Sequence, residues 1–268
     1  MIHSILSRLA RVQFTVSYVA TLAAVSVAIL TLGPQVHERV IRHASTNLHN
    51  LARGHLGTLL NSAFVIDEGP LYFWLPCLAC LLALAELQLR SLRLTVAFVV
   101  GHVGATLVIA AVLAASIELG WLPLSISRVS DVGMSYGALA VLGALTATIP
   151  RRWRPVWIAW WTTVALATAV TGGDFTDAGH SIALMLGMVV TIRLGRSASW
   201  TPVRCALLVV SSGFGFLLLA HTQWTSLSGA VLGALGAFAA YRFARPAPAR
   251  TEPLPPDAIT VPQRVRSV

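Results

Sequence analysis

The sequence contains no lysine, and all nineteen of its basic residues are arginine. Charged residues make up only 11% of the 268 residues, whereas a water-soluble domain carries about 25% because it must cover a polar surface. Three cysteines are too few for a disulfide scaffold. Because 56% of the residues are hydrophobic, most of the chain is not intrinsically disordered. These shortages together predict a polytopic membrane protein.

Eight apolar runs are close to the length that a helix needs to cross roughly 30 Å of hydrocarbon. Lipid offers no hydrogen bonds to the backbone, so we expect each run to be a helix. The runs are 13–32, 71–89, 94–116, 132–149, 154–171, 178–193, 202–220 and 225–243. The first run is too long for a signal peptide and lacks a small-residue cleavage site, so we expect it to be retained. Residues 202–243 alternatively form one helix and a re-entrant segment.

The arginines are distributed unequally between the connections. With a cytoplasmic N-terminus and alternating spans, fifteen of the nineteen fall on the cytoplasmic side. The four on the other side are Arg39, Arg42, Arg53 and Arg128. The positive-inside rule therefore predicts a multi-pass plasma (inner) membrane protein with both termini in the cytoplasm. The net charge of +9 is then a topology signal, and we expect no nucleic-acid partner.

Two regions fall outside the spans. Residues 34–70 form a long outer loop, and its half-apolar middle, 45–65, is typical of short interfacial helices. The tail, 246–268, is rich in proline and is predicted to be disordered. The predicted organisation is a cytoplasmic N-terminus (1–12), a core (13–193) containing the loop, additional transmembrane helices (194–245) and the tail.

Two polar motifs lie at the outer ends of spans. Ser135 is flanked by Gly133 and Gly137 near the start of the fourth span, and His180 follows Gly179 near the start of the sixth. The predicted topology puts both residues on one side of the membrane at similar depth. A serine hydroxyl needs an adjacent base to become a nucleophile, and histidine is the commonest base.

Small residues favour close approach of the two helices. Ala183 and Gly187 lie on the same helical face as His180, which permits tight packing against another helix. The alternative interpretation is that Ser135 is only a packing or interhelical hydrogen-bonding residue, which is usual for a serine in a glycine-rich membrane helix.

Several segments resemble the rhomboid intramembrane serine proteases. Residues 133–139 resemble the nucleophile motif of that family, and 179–187 resemble the helix that bears its base. Residues 58–64 resemble the segment before its second helix, and Glu86 matches a glutamate near the inner end of that helix. Residues 101–106 together with 131–137 are most similar to divergent rhomboid-like proteins of high-GC Gram-positive bacteria, such as actinobacteria. The resemblance covers about 13–193.

The resemblance implies an all-α, polytopic transmembrane bundle with a rhomboid-like six-helix core and two extra C-terminal helices. It implies a Ser135–His180 dyad that cleaves transmembrane protein substrates, supported by the motif residues Gly133, Tyr136, Gly137, Ala183 and Gly187. No cofactor or metal is expected. The partners implied are the lipid bilayer and a transmembrane protein, and the sequence leaves the oligomeric state open.

The second span departs from the family pattern. Family members carry a histidine and an asparagine, four residues apart, that help to bind the oxyanion, whereas residues 71–78 contain neither. Substitutes could come from the outer loop, in His49, His55 or Asn61, or from the backbone N–H of Ser135. Tyr136 also replaces the small residue that usually follows the nucleophile. These departures favour the alternative of an inactive rhomboid-fold pseudoprotease that binds membrane clients. A transporter is disfavoured because matching interrupted spans are absent from the sequence.

Other polar residues have structural interpretations. Cys77 and Cys80 form a CxxC motif inside a span, where packing is expected. Glu86 and Arg90 are spaced for an intrahelical ion pair, and His102 is expected to be neutral and bonded to a neighbouring helix. The remaining assignments are helix caps or turns for Asp131, Asp174 and Asp177, an interfacial position for His221, and helix packing, internal or between subunits, for Gly229, Gly233 and Gly236.

Overall fold

The computed structural model describes residues 10–66, 70–191 and 199–244, and these residues form an all-α bundle. Residues 1–9 and the tail that was predicted to be disordered, 246–268, lie outside the described residues. The helices are α1 (Gln13–Leu32), α2 (Pro34–Ala44), α3 (Leu48–Ala52), α4 (Thr58–Asn61), α5 (Leu71–Leu89), α6 (Ser91–Glu118), α7 (Ser135–Ala144), α8 (Arg154–Gly172), α9 (Phe175–Thr191), α10 (Pro202–Leu219) and α11 (Gln223–Ala244).

Each of the eight predicted spans corresponds to one helix. The polytopic helical fold is therefore confirmed, and 202–243 forms two helices rather than a helix and a re-entrant segment. Among the described residues, α1, α5, α6, α10 and α11 are each long and apolar enough to cross a membrane. The last two of these supply the extra C-terminal pair.

Helix α7 lies in the middle of the bundle and is short. It continues only into a 3₁₀ turn, Leu145–Ala147, and every residue from Tyr136 to Ala147 is buried. At 1.5 Å per residue the two together are about 20 Å long, less than the roughly 30 Å of hydrocarbon in a bilayer. Helices α5, α6, α9 and α10 pack around α7, so α7 is surrounded by protein rather than by lipid. Ser135, at the start of α7, lies at one end of the bundle, which we call the Ser135 end.

The last two helices are anchored on the core by small residues. Gly233 of α11 packs against Val164 and Trp160 of α8, and Gly236 packs against Thr163. Gly229 contacts the same helix through Val164. These glycines therefore serve internal helix packing. Helix α10 packs against α5 and α7 of the core, whereas α11 packs directly against α8.

The long loop after α1 is folded into short helices. The predicted helices within 45–65 are present as α3 and α4, and α2 precedes them. Ile41 and Ala44 of α2 form a small apolar cluster with Ile29 of α1 and Val65. The hydroxyl of Tyr18 in α1 donates to the carbonyl of Ala63. The loop is thus packed onto the first span.

The predicted intrahelical pair between Glu86 and Arg90 is wrong. The Glu86 carboxylate accepts hydrogen bonds from the backbone N–H groups of Phe14 (2.9 Å) and Thr15 (2.9 Å), from the Thr15 hydroxyl (2.8 Å) and from the Ser91 hydroxyl (2.6 Å). The first turn of α1 has unsatisfied N–H groups that attract a carboxylate. This end of the bundle, opposite to Ser135, is called the Glu86 end.

Arginine side chains close several helix ends at the Glu86 end. Arg154 donates to the carbonyls of Ala147 (3.0 Å) and Ile149 (3.2 Å), beyond the end of α7. Arg204 donates to the carbonyls of Ser199 (2.6 Å) and Leu87 (3.5 Å). Arginines that the sequence assigned to one side of the membrane therefore lie together at one end of the bundle.

Candidate active site

The loop leading into α7 is held by hydrogen bonds to the folded segment after α1. The N–H of Asp131 donates to the Ser45 hydroxyl (2.8 Å), and the carbonyl of Asp131 accepts from the N–H of Thr46 (3.0 Å). The N–H of Gly133 donates to the Ser62 carbonyl (2.9 Å). Gly133 has a φ of +134°, in the region that favours glycine. The folded loop after α1, which is distant in sequence, therefore holds the residues just before Ser135 in place.

Ser135 is the first residue of α7, and its side chain is partly buried. No side chain caps this helix, and its first intrahelical bond runs from the N–H of Ala138 to the carbonyl of Met134. The backbone N–H groups of the first turn have no intrahelical acceptor and carry the positive end of the helix dipole. Ser135 thus lies beside donors suited to an anion.

His180 lies in the second turn of α9 with only 7% of its surface exposed. Neither of its ring nitrogens has a hydrogen-bond partner among the described residues. No hydrogen bond therefore joins His180 to Ser135 in this conformation, and the catalytic dyad stays a prediction. A buried polar group without a partner is costly and calls for an explanation.

Tyr136, which follows the serine, is the aromatic neighbour of His180. The two ring centroids are 5.4 Å apart with the planes nearly perpendicular, at 82°. The Tyr136 hydroxyl is buried without a hydrogen-bond partner among the described residues and lies against Gly179, where a Cβ atom would overlap it. Gly179 thus makes room for the tyrosine, and the pair brings the starts of α7 and α9 together.

Small residues bring α7 and α9 into backbone contact, as the sequence led us to expect. A Cβ atom on Gly187 would overlap the carbonyl of Ala140, and Ala183 is fully buried. Gly137 gives the same close approach to α6, where it faces the ring of Phe98. Gly187 therefore sets the distance between the helix that carries the serine and the helix that carries the histidine, and Gly137 sets the distance between α7 and α6.

The three outer-loop residues considered as oxyanion helpers lie in the folded segment between α1 and α5. His49 is in α3, where the charge of Arg53 is the main factor that lowers the pKa of the imidazole. His55 and Asn61 are exposed. Among the described residues, none of the three has a hydrogen bond to Ser135 or to His180. Their assistance to the site stays a prediction.

A second Ser–His pair is present nearby. Ser62 Oγ lies 3.1 Å from His102 Nε2, and the side chains are 1% and 3% exposed. The predicted neutral, hydrogen-bonded His102 thus has its partner in the loop rather than in a neighbouring helix. A peptide bond cannot reach this buried hydroxyl, so the pair fastens the loop to α6. The sequence signal was Ser62 itself, which lies in the family-like segment 58–64.

One ion pair at the Ser135 end was not predicted. Asp177 Oδ1, in the first turn of α9, lies 3.4 Å from His221 Nδ1, which follows α10. The Asp177 side chain is fully buried and that of His221 is half exposed. Both residues had been assigned to their helix ends as cap and interfacial residues, and only the packing of α9 against α10 makes them neighbours.

The CxxC cysteines, Cys77 and Cys80, are free thiols, each partly buried within α5. Within 10–66, 70–191 and 199–244, no three His, Cys, Asp or Glu side chains lie close enough to hold a metal ion. The cysteines therefore have no metal-ligating partners in the described part of the chain.

Residues 9–200 match the model of a family described as "Rhomboid-like protein". The match contains Ser135, His180, the folded loop after α1 and the Glu86 contact, and it ends before α10. No curated protein matches the chain, and no solved structure does.

Proposed function

Because this chain belongs to the rhomboid-like protein family, we propose that it is an intramembrane serine protease with Ser135 as its nucleophile and His180 as its base. The observation that carries the proposal is the buried imidazole of His180, both of whose nitrogens lack a partner among the described residues. A histidine that serves only packing would satisfy at least one nitrogen. Here the ring is kept free beside the helix that begins with Ser135.

The proposed reaction begins when a peptide carbonyl reaches Ser135. His180 takes the proton of the Ser135 hydroxyl, and Oγ bonds to the carbonyl carbon to give a tetrahedral oxyanion. His180 then gives that proton to the peptide nitrogen, the C–N bond breaks, and the amine leaves an acyl-enzyme. Water, deprotonated by His180, attacks the ester carbon. The bond between that carbon and Ser135 Oγ then breaks, the carboxylic acid product leaves, and His180 returns the proton to Ser135. Catalytic hydrogen bonds missing in a free enzyme often form only in the complex.

The first turn of α7 supplies donors for the oxyanion in place of the missing histidine and asparagine. Its N–H groups are uncapped by any side chain, and one of them, the backbone N–H of Ser135, belongs to the same residue as the attacking oxygen. An oxyanion donor is worth about 10²–10³ in rate, so a site without a side-chain donor is expected to be slow. His49, His55 and Asn61 remain additional candidates.

A fluorophosphonate probe tests this function in detergent-solubilised protein. We expect Ser135-dependent labelling of the wild type, its loss in Ser135→Ala, and a decrease of at least about 10²-fold in His180→Ala. Ser130→Ala is the matched control, because Ser130 is exposed and five residues from the nucleophile. Mass spectrometry then distinguishes labelling at Ser135 from labelling at Ser62. Wild-type protein that neither labels nor cleaves a model transmembrane substrate would contradict the proposal.

The second candidate is a client-binding pseudoprotease. Two observations favour it: no hydrogen bond joins Ser135 to His180, and α5 begins without the histidine and asparagine of the family. Photo-crosslinking of transmembrane segments in the wild type and in Ser135→Ala discriminates between the two. Equal capture without cleavage supports the pseudoprotease, and cleavage that depends on Ser135 supports the enzyme.

We further propose that the chain lies in the plasma membrane with both termini cytoplasmic and the Ser135 end outside. The clustering of Arg154 and Arg204 contacts at the Glu86 end supports this orientation. The test is labelling of intact cells by an impermeant maleimide. In a cysteine-free background, Ser130→Cys should react, whereas the exposed native Cys205, retained alone, should react only after lysis.

A further inference from the structure

The carboxylate of Asp177 is buried one helical turn before His180. Its side chain has no exposed surface, and neither oxygen accepts a hydrogen bond among the described residues. Gly172, at the end of α8, leaves space for this group, because a Cβ atom there would overlap Asp177 Oδ2. A carboxylate that is buried in this way needs a countercharge.

The titratable group that faces this carboxylate is His221. Its Nδ1 atom lies 3.4 Å from Asp177 Oδ1. The connector that carries His221 is fixed on both sides, since the Ser226 hydroxyl donates to the Ala220 carbonyl (2.9 Å) and the N–H of Thr222 donates to the Thr225 hydroxyl (2.9 Å). The backbone on either side of His221 therefore holds the imidazole near the carboxylate.

His221 lies outside the part of the chain that matches the family, which ends at residue 200. Among the described residues of the matched part, none forms an ion pair or a hydrogen bond with the Asp177 carboxylate. The connector between α10 and α11 thus contributes an imidazole, a group that can carry a positive charge, to the region of His180. The other titratable groups of this region are Asp131, Asp174 and Tyr136, on the segments that pack against the start of α9.

We infer that His221 is a positioning residue for His180: through its ion pair with Asp177 it fixes the first turn of α9 and balances the negative charge beside the base. The inference rests on the proposed function. Without His221, the Asp177 carboxylate is uncompensated one turn from His180 and stabilises the imidazolium, which cannot accept the Ser135 proton. Without Asp177, a protonated His221 has no countercharge and has the opposite effect on the imidazole of His180.

The pH profile of Ser135 labelling by the fluorophosphonate probe tests this role. In His221→Gln we expect the acid limb to move to higher pH by about 0.5–1 unit, so that labelling near pH 6 falls about 3–10-fold. In Asp177→Asn the limb should move to lower pH. Opposite shifts distinguish a charge effect from damage to the fold, which would lower both rates without moving the profiles apart.

Two controls separate the possible failures. Asp174→Asn removes the same charge from an exposed residue three positions before Asp177 and should shift the profile less. The double variant Asp177→Asn/His221→Gln should return the limb toward its wild-type position. Unchanged profiles in labelled single variants overturn the positioning role alone, whereas an unlabelled wild type overturns the proposed function together with it.

Discussion

Ser62 Oγ and His102 Nε2 lie 3.1 Å apart although forty residues separate them in the chain. The Ser62 carbonyl also accepts from the N–H of Gly133, two residues before Ser135. One residue of the folded loop therefore holds both α6 and the segment that leads to the serine. This arrangement makes the loop a structural part of the site.

The hydrogen bond between Ser62 and His102 should contribute measurably to stability. In Ser62→Ala a buried ring nitrogen of His102 loses its partner, so we expect a loss of about 1–3 kcal/mol in thermal or denaturant unfolding in detergent. Ser116→Ala is the control, because the Ser116 hydroxyl donates only to the Val112 carbonyl of its own helix. Equal stabilities of the two variants would show that the bond is unimportant.

Glu86 should be far more sensitive to substitution than an exposed acidic residue. Glu86→Gln replaces an acceptor-only carboxylate, which receives four hydrogen bonds, with an amide that points an N–H₂ group at donors. We expect a loss of about 2–3 kcal/mol, measured by unfolding in detergent. Glu118→Gln, at an exposed helix end, should be almost neutral. A similar small loss in both variants would contradict the assigned role.

The helices could be predicted because run length alone indicates a membrane-spanning helix. The placement of Ser135 and His180 at one end followed from counting spans, and this needs no knowledge of which helices are neighbours. The central, fully buried position of α7 could not be predicted, because an apolar sequence suits lipid and protein equally well. The short length of α7 is explained by its position among four neighbouring helices, which the sequence does not identify.

The polar contacts were harder to predict, because each joins distant elements. Arg90 lies four residues after Glu86, and the usual i, i+4 pairing of opposite charges on a helix therefore predicted that partner. The N-terminus of α1 instead offers the Glu86 carboxylate several N–H groups at once. The pairing of Asp177 with His221 depends on how α9 and α10 are oriented relative to each other. The spacing of apolar residues in the sequence does not predict that orientation. Local patterns predicted which residues were polar and at which end, but not their partners.

The contact of Gly187 with α7 should tolerate no side chain. In Gly187→Ala the new Cβ atom overlaps the Ala140 carbonyl, so the helices must separate at a cost of more than about 2 kcal/mol. Gly213→Ala is the matched control in α10, since no atom lies within 4 Å of the place that its Cβ atom would occupy. It should stabilise the helix by up to about 1 kcal/mol. The two variants are compared by thermal unfolding. A Gly187→Ala variant that is as stable as Gly213→Ala, or more stable, would refute this packing.

Asp131 should make the stability of the protein depend on pH. Burial, with the nearby charge of Asp174, raises the pKa of this carboxyl from 3.8 to about 6. The folded state therefore favours the protonated form, so its stability is highest below pH ~4, falls as the pH rises to about 6, and then stays constant. Asp131→Asn, which keeps both backbone hydrogen bonds, should remove this dependence and gain about 1–3 kcal/mol at pH 7.

Glu38→Gln, an exposed change in α2, should leave the pH dependence intact. The measurement is the free energy of unfolding in detergent at a series of pH values from 4 to 8. The same dependence on pH in the wild type and in Asp131→Asn would rule out a raised pKa of the Asp131 carboxyl.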